Sequence, residues 1–317
     1  MREIISLQKK DDVTLQEAFK MFISEKKAMK LADETIKTYE DRFASFGEFF
    51  STGNMCVSVT PSVIFQFITY LQTRNPNIKT VTINNYLRHL RAVFYNFMEA
   101  GYMPRFSIKM LKCERELKET YHIPELERLL RKPDIKNVRF SEYRNWVIIN
   151  YLLGTGNRLK TVSNLKIADV DFENQEIALR TVKNKKPQII PLTPVLEKVL
   201  CEYLGYRQGK QDDYLFCNQF GDKLETSSIE TAIYRYNRAR GVTKTSIHLF
   251  RHTFATEYLR NGGREGKLQR LLGHATASQT NEYVHMVASD LKQNFEEFNP
   301  LEKIKISSNE KTAIRIK

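Results

Sequence analysis

Residues 248–263 read HLFRHTFATEYLRNGG and predict a helix over about 248–260. Positions three apart share a helix face, so we expect His248 and Arg251 to point together while the two residues between them turn toward a core. A protonated histidine beside an arginine is unfavourable unless both side chains address one anion. Taken alone, the stretch is compatible with an anion site but does not establish one, and a helix without a functional role is the alternative.

Two glycine turns elsewhere carry charged or reactive side chains. In GTGNR, residues 154–158, the glycines allow a sharp turn after a helix and place Arg158 at the start of the next element. In LLGH, residues 271–274, the glycine is a predicted helix C-cap, and His274 then lies on a loop before a helix that carries Tyr283. Each signal is weak alone, because glycine turns and single tyrosines are common in ordinary folds.

A lysine-rich segment, TVKNKK at residues 181–186, predicts a hairpin tip between two stretches of alternating residues. Its ammonium groups suit insertion into a groove or contact with a phosphate backbone. A solvated hairpin is the alternative.

The N-terminal part of the chain contains four amphipathic helices, which predict a small helical bundle. Their aromatic residues fall at core spacing and are therefore interpreted as core rather than as surfaces for base stacking. The second part mixes helices with strands at about 170–182, 188–192 and 214–216. It predicts an α+β domain that is mostly helical, with a small antiparallel sheet.

The chain of 317 residues is long enough for two domains. The segment KCERELKET is charged and has no apolar periodicity, which is typical of a linker. We therefore place the domains at residues 1–112 and 121–317, joined by a linker at 113–120.

The chain carries 50 lysines and arginines against 37 aspartates and glutamates, a formal net charge of +13. This excess predicts a polyanionic partner, with nucleic acid first and a merely solubilising surface charge as the alternative. Basic residues of the N-terminal bundle are candidates for phosphate contacts: Arg74, Lys79, Arg88 and Arg91.

Composition also excludes several classes of protein. With 41% hydrophobic residues the chain is too apolar to be disordered, and no apolar run reaches the ~18 residues that cross a bilayer. The N-terminal MREIISLQKK lacks the apolar core of a signal peptide. Four scattered cysteines form no CxxC pair, which disfavours a zinc site or a disulfide framework and favours a reducing compartment.

The singled-out segments supply two arginines, a lysine, two histidines and a tyrosine, without a carboxylate cluster of metal-binding type. This set suits phosphoryl transfer without a metal, which needs positive charge on the phosphate oxygens, a nucleophile and a proton donor. A tyrosine, with a pKa of about 10, needs neighbouring cations or a base to react at neutral pH.

These residues, in their order, resemble the active site of the tyrosine recombinase, or phage integrase, family. The set is Arg158, Lys183, His248, Arg251, His274 and Tyr283, within the segments TGNRLKTVSNLKIADVD, KNKKPQIIPL, HLFRHTFATEYLRNGG and LQRLLGHATASQTNEYVH. The segments cover most of residues 120–290, and the N-terminal bundle resembles the SAM-like core-binding domain of the family. Because the bundle begins near residue 13, the layout is similar to the compact two-domain members such as the Xer and Cre recombinases.

The resemblance implies a site-specific recombinase that cleaves and rejoins duplex DNA through a Holliday junction, without metal, ATP or another cofactor. Its reaction would integrate, excise or resolve a mobile element or replicon. Arg158 and Arg251 would clamp the scissile phosphate, His274 would hydrogen-bond that phosphate, and Tyr283 would form a 3′-phosphotyrosyl link.

The resemblance assigns proton transfer to two further residues. His248 would assist as acid or base, and Lys183 would protonate the departing 5′-hydroxyl. Lys183 is chosen over Lys185 and Lys186 by counting back from the Pro-Leu that ends its segment. The other two lysines are then candidates for DNA backbone contacts.

Two positions depart from the family pattern. The acidic residue that is usual three positions after the first arginine is Thr161 here, so carboxylate support would come from elsewhere, with Asp169 or Asp171 as candidates. The usual apolar residue before that arginine is Asn157. Neither departure removes a proposed catalytic group.

The resemblance also implies partners and a location. The implied partners are specific double-stranded DNA sites and accessory directionality factors, with no membrane. The implied oligomeric state is a monomer in free solution and a homotetramer in the synaptic complex. The implied location is the cytoplasm, in association with the nucleoid. Apolar residues near helical spacing predict a helix over 291–306 that packs on a neighbouring protomer, or alternatively within its own chain.

Two other classes of protein remain open at this point. A type IB topoisomerase uses similar chemistry but relaxes supercoils as a monomer. A non-catalytic DNA-binding regulator would bind its sites without forming a covalent adduct.

Overall fold

A computed structural model of the chain describes residues 13–113, 119–180, 188–274, 276, 280, 283 and 284. Over these residues the chain is mainly helical with a three-stranded antiparallel sheet, which confirms the predicted fold class. The chain divides into two units, Met1–Glu116 and Leu117–Lys317. This division falls within the segment predicted as a linker, 113–120. The helix predicted over 291–306 lies outside the described residues.

Helices account for most of the first unit. They are α1 (Leu15–Ala28), α2 (Asp33–Phe49), α3 (Pro61–Arg74) and α4 (Thr80–Glu99). Local signals set two of their starts. Thr14 and Glu17 form a capping box in which the Glu17 N–H donates to Oγ1 of Thr14 at 3.2 Å. The Thr60 side chain caps α3 directly ahead of Pro61.

Aromatic side chains form the core of the first unit. Phe46, Phe67, Phe94 and Phe97 are fully buried. The ring centroid of Phe46 lies 5.2 Å from those of Phe67 and Phe94, at steep interplanar angles that favour edge-to-face packing. The predicted core role of these aromatics is confirmed.

The second unit surrounds a buried helix with further helices and the sheet. In chain order the elements are α5 (Ile123–Leu130), α6 (Phe140–Thr155), α7 (Leu159–Asn164), β1 (Val170–Asp171), β2 (Glu176–Leu179), β3 (Gln188–Pro191), α8 (Pro194–Arg207), α9 (Thr226–Ala239), α10 (His248–Arg260) and α11 (Glu265–Leu272). Apolar residues lie on nearly every face of α6, so that helix is buried between α8, α9 and α10.

The sheet differs from its predicted outline. The strand predicted over 170–182 is two strands, β1 and β2, because Asp171 accepts hydrogen bonds from Asn174 and Gln175 has a φ of 53°. Residues 214–216 do not form a strand, since Tyr214 pairs with Lys166 only through an isolated bridge. The order β1-β2-β3 is antiparallel throughout, with Ile177 opposite Ile190.

Contacts from the start of the second unit fix the position of α10. The Tyr121 N–H donates to Oγ1 of Thr253 at 2.9 Å, and the Tyr121 ring packs on Phe250 at 4.5 Å between centroids. Lys244, just ahead of α10, donates to the Thr120 carbonyl at 2.9 Å and to the Glu125 carboxylate at 3.0 Å. The start of the second unit therefore holds both α10 and the segment directly ahead of it.

No helix within the described ranges combines the length and apolar character that crossing a membrane requires.

Candidate active site

The turn that ends α6 depends on one glycine. Gly156 has φ 63° and ψ 18°, the left-handed region that favours glycine. A Cβ at this position would lie 2.4 Å from Cδ1 of Phe254 on α10 and 2.9 Å from Cδ2 of Leu272 on α11. The preceding Gly154 is still helical, so the turn is shorter than the sequence predicted. It delivers Arg158 to the N-cap position of α7.

The Arg251 side chain is buried and anchored by two backbone carbonyls. Nη1 donates to the Gly156 oxygen at 2.8 Å, and Nη2 donates to the Leu272 oxygen at 2.9 Å. Burial, and then the charge of Arg158, lowers the pKa of Arg251 to about 10. The guanidinium therefore stays charged at neutral pH in a fixed orientation.

Arg158 is held in a similar way by the second glycine turn. Its Nη2 lies 3.5 Å from the carbonyl oxygen of Gly273, which has a φ of 59° and closes α11. Burial lowers the pKa of this guanidinium. The Gly156 turn thus lies just ahead of Arg158 and binds Arg251 through its carbonyl oxygen. The Gly273 turn lies just ahead of His274 and binds Arg158 in the same way.

Tyr283 lies among these side chains, with only 3% of its surface exposed. Its hydroxyl is 2.8 Å from Nδ1 of His252, and Tyr283 lies close enough to Arg251 to affect the pKa of that guanidinium. The ring of His274 lies parallel to the Tyr283 ring, at 6.2 Å between centroids and 8° between planes. Nδ1 of His274 is 2.9 Å from Oγ1 of Thr280.

His252 was not among the residues singled out from the sequence. Its signal was present, because it directly follows Arg251 and lies one helical turn after His248. Its partner, however, is 31 residues away along the chain.

His248 lies in a different environment from Arg251, although both are on α10. It is the first residue of the helix and is exposed, whereas Arg251 is buried. His248 borders a cavity of about 350 Å³ that Tyr234 and Ser246 also line. The structure therefore brings Arg158, Arg251, His274 and Tyr283 together and leaves His248 at the solvent-exposed end of the helix.

The three lysines of the predicted hairpin, Lys183, Lys185 and Lys186, lie outside the described residues. The strand that follows them is attached to the site. Nε2 of Gln188 donates to the carbonyl oxygens of Arg270 at 2.5 Å and Leu271 at 2.7 Å, at the end of α11. Sequence reasoning did not identify this contact.

The carboxylates considered as support for Arg158 are engaged elsewhere. Asp169 is buried and forms an ion pair with Arg180, with 2.9 Å between Nε and Oδ1. Asp171 accepts from Asn174 in the turn between β1 and β2. Support for Arg158 comes instead from the Gly273 carbonyl oxygen.

The basic residues proposed for DNA contacts in the first unit fall into two groups. Arg74 and Lys79 line a groove of about 770 Å³ at the junction of α3 and α4, where Arg74 pairs with Glu48. Arg88 is exposed and Arg91 is partly buried on one face of α4.

The site combines a phenol with two fixed positive charges and two imidazoles. Guanidinium groups stay protonated and match the geometry of phosphate oxygens. A tyrosine oxygen can act as a nucleophile that forms a covalent intermediate. In the described part of the chain, no group of three or more His, Cys, Asp or Glu side chains could hold a metal ion. The arrangement suits attack of Tyr283 on a bound phosphodiester.

Comparison with protein families gives two matches. The model described as the phage integrase family matches residues 123–289, and the model described as the phage integrase SAM-like domain matches residues 14–113. The first match alone spans more than half of the chain.

Individual relatives of the chain are named tyrosine recombinases. The chain is 26% identical over 287 residues to tyrosine recombinase XerC of Listeria innocua serovar 6a, covering 85% of this chain and 92% of the relative. It is 27% identical over 284 residues to tyrosine recombinase XerD of the same organism, covering 85% and 94%.

Solved structures share the fold. The Tn1549 transposon integrase in complex with transposon right end DNA has a TM-score of 0.73 at 20% identity, covering 88% of this chain and 99% of that one. The XerH site-specific recombinase bound to a palindromic difH substrate has a TM-score of 0.67 at 23% identity, covering 86% and 82%.

Proposed function

The chain belongs to the phage integrase family and is a tyrosine recombinase, and from this premise we propose that it cleaves and rejoins specific duplex DNA sites through a covalent link to Tyr283. One observation carries the proposal. Tyr283 lies close enough to the buried Arg251 guanidinium to interact with it electrostatically, and two backbone carbonyls hold that guanidinium in place. A nucleophile and a fixed phosphate ligand therefore already lie together within one chain.

The two arginines act on the scissile phosphate. Arg158 and Arg251 bind its non-bridging oxygens and stabilise the charge that grows on them during attack. Because both guanidinium groups are preorganised by carbonyl contacts, little reorganisation is needed when DNA arrives. His274 adds a hydrogen bond to the same phosphate.

The chemical step exchanges one phosphodiester bond for another. The Tyr283 oxygen attacks phosphorus and forms a 3′-phosphotyrosyl bond while the bond from phosphorus to the 5′ oxygen breaks. Lys183 gives the leaving oxygen its proton, and His248 assists in acid–base chemistry. Attack by a 5′-hydroxyl on the phosphotyrosyl bond reverses the sequence, so rejoining needs no external energy source.

We assign DNA binding outside the site to the remaining positive charge. Residues 1–112 form the core-binding domain and 121–317 the catalytic domain, with Arg74, Lys79, Arg88, Arg91, Lys185 and Lys186 as backbone contacts. Each neutralised phosphate makes binding weaken with salt, by about 0.9 log unit per log unit of salt concentration.

The assembly follows from the family reaction. A monomer binds each half-site, four protomers form the synaptic complex, and strands are exchanged through a Holliday junction under accessory directionality factors. We also propose that the protein acts in the cytoplasm, on the nucleoid, where its DNA substrate would be found. The relatives, which are named recombinases, favour neither a type IB topoisomerase nor a non-catalytic regulator.

A nicked suicide substrate tests the proposal. DNA that becomes covalently attached to the wild-type chain is captured from a genomic library and sequenced, which gives the site and the polarity together. We expect Tyr283→Phe to bind DNA and form no adduct. Tyr258→Phe, a tyrosine of the same catalytic unit that packs on Phe254, is the matched control and should form adduct normally. An adduct that persists in Tyr283→Phe moves the nucleophile elsewhere.

A further inference from the structure

His252 contacts the proposed nucleophile directly. It directly follows Arg251 on α10, and its Nδ1 lies 2.8 Å from the Tyr283 hydroxyl. The two rings are 5.6 Å apart between centroids and inclined by 43°. Tyr283 is buried and His252 is partly buried, so the bond forms in a largely water-excluded place.

Attack by a phenol needs a group that accepts its proton, since the pKa of a tyrosine hydroxyl is about 10. Arg251 and Arg158 are nearby but carry only donors. Nδ1 of His274 is bonded to Thr280, and His248 lies at the exposed start of α10. An imidazole with its proton on Nε2 has an acceptor lone pair on Nδ1, the atom that faces the Tyr283 hydroxyl.

We propose that His252 orients Tyr283 and accepts its phenolic proton during strand cleavage. The inference rests on the proposed function, because it needs Tyr283 to be the nucleophile. As the Tyr283 oxygen bonds to phosphorus, its O–H bond breaks and an N–H bond forms on Nδ1 of His252. The 5′ oxygen leaves with a proton from Lys183. In rejoining, Nδ1 returns its proton to the Tyr283 oxygen.

The surrounding charges make this transfer depend on DNA. A protonated His252 adds a third positive charge to a site that already holds Arg158 and Arg251. The anionic phosphodiester between these groups offsets that charge. The proton therefore moves readily only when DNA occupies the site, which keeps the tyrosine unreactive in the free protein.

Two substitutions separate this role from a structural one. His252→Asn places an amide oxygen near the position of Nδ1, so it can hold the hydroxyl but cannot take the proton. His252→Gln is a second variant in case the first does not fold. His89→Asn, a partly buried histidine of the first unit, is the matched control. We expect adduct formation on saturating DNA to slow by about 10²-fold in either His252 variant, with DNA affinity and thermal unfolding close to wild type.

Two chemical probes identify the step that fails. A substrate with sulfur at the bridging 5′ position has a leaving group that departs without a proton. It should restore cleavage to Lys183→Ala but not to His252→Asn. Fluorinated tyrosine loses its proton more easily than tyrosine does. At position 283 of His252→Asn it should raise the cleavage rate of that variant by about tenfold or more, within the range of general-base effects.

The outcomes distinguish the inference from its premise. A wild-type chain that forms no adduct, or an adduct in Tyr283→Phe, refutes the proposed function and the inference with it. Normal adduct formation in the folded His252 variants refutes the inference alone. A loss that is the same for tyrosine and fluorotyrosine also refutes proton transfer, because a purely steric defect does not respond to the acidity of the phenol.

Discussion

Arg251 donates from Nη1 to the carbonyl oxygen of Gly156 at 2.8 Å, two residues before Arg158 in the chain. Arg158 in turn contacts the carbonyl of Gly273, one residue before His274. Each glycine turn therefore presents one residue of the proposed site and fixes an arginine from another segment. We expect the two arginines to be displaced together when either turn is altered.

Gly156→Ala tests this coupling. The alanine would need a φ of 63° and would place Cβ 2.4 Å from Phe254, so α6 and α10 must separate. We expect a loss of about 1–3 kcal/mol in stability, from strain and overpacking, and a larger loss of adduct formation. Thermal unfolding and suicide-substrate assays measure both. Gly205→Ala on α8, where a Cβ meets nothing within 4 Å, is the control and should be neutral or stabilising.

Arg251→Met removes a proposed phosphate ligand while keeping apolar bulk in the buried site. Loss of one preorganised donor costs about 3–4 kcal/mol of transition-state stabilisation, so cleavage should fall by about 10²–10³-fold. DNA affinity should fall much less, since on the proposed function Arg251 would be one of many phosphate contacts. Single-turnover rates at saturating DNA separate the two effects. Arg260→Met, at the other end of α10, should leave both nearly unchanged; an equal loss there would contradict a specific role for Arg251.

Gln188→Leu detaches β3 from the end of α11. The carbonyls of Arg270 and Leu271 lose their hydrogen-bond donor. Each lost hydrogen bond should lower the free energy of unfolding by about 1 kcal/mol. If Gln188 positions the segment ahead of β3, which includes Lys183, cleavage should fall by about tenfold and recover with the 5′-sulfur substrate. Ile189→Thr, an exposed neighbour on the same strand, is the control. If the 5′-sulfur substrate does not restore cleavage, the effect of Gln188 acts through the turn at the end of α11 instead.

Glu125 gives a prediction for the pH dependence of stability. Burial alone raises the pKa of this carboxyl, yet the His122 N–H and the Lys244 ammonium hold it below its usual value. The unfolded chain therefore binds the proton more tightly. The stabilisation is complete above about pH 4.3 and is lost as the pH falls through the lower folded pKa.

Glu125→Gln measures this contribution. We expect it to cost about 1–2 kcal/mol near pH 7, and the difference from wild type should shrink as the pH falls through the lowered folded pKa of Glu125. Trp146 is the single tryptophan and is buried on α6, so its fluorescence follows urea unfolding of the second unit. Glu127→Gln on the same helix is exposed and should show no such pH dependence.

Local signals in the sequence were sufficient for much of the fold. The capping box at Thr14 and Glu17 and the Thr60-Pro61 start depend on neighbours in the chain, and both were predictable for that reason. At the turn after Asp171 the sequence predicts one continuous strand, because the alternation of apolar and polar residues persists across the turn. The choice of the proposed site residues and their roles rests on the resemblance of their segments to a family, not on geometry.

Contacts between distant segments could not be predicted in the same way. Gln188 binds carbonyls that are 82 and 83 residues away, and His252 contacts Tyr283 across 31 residues. Such pairs depend on how α10, α11 and β3 pack, which no local pattern encodes. The exposure of His248 beside the burial of Arg251 has the same origin, because helix spacing specifies a shared face but not its depth.

The anchoring of the two arginines has a consequence for the folding of the chain. The bond from Arg251 to Gly156 closes a loop of 95 residues, and that from Arg158 to Gly273 closes one of 115 residues. Closing such loops is slower than forming local helices, because the entropy loss precedes the contact. We therefore expect a nascent or partly unfolded chain to keep the proposed nucleophile apart from its arginines and to leave DNA intact. The capacity to break DNA would then be confined to the finished fold.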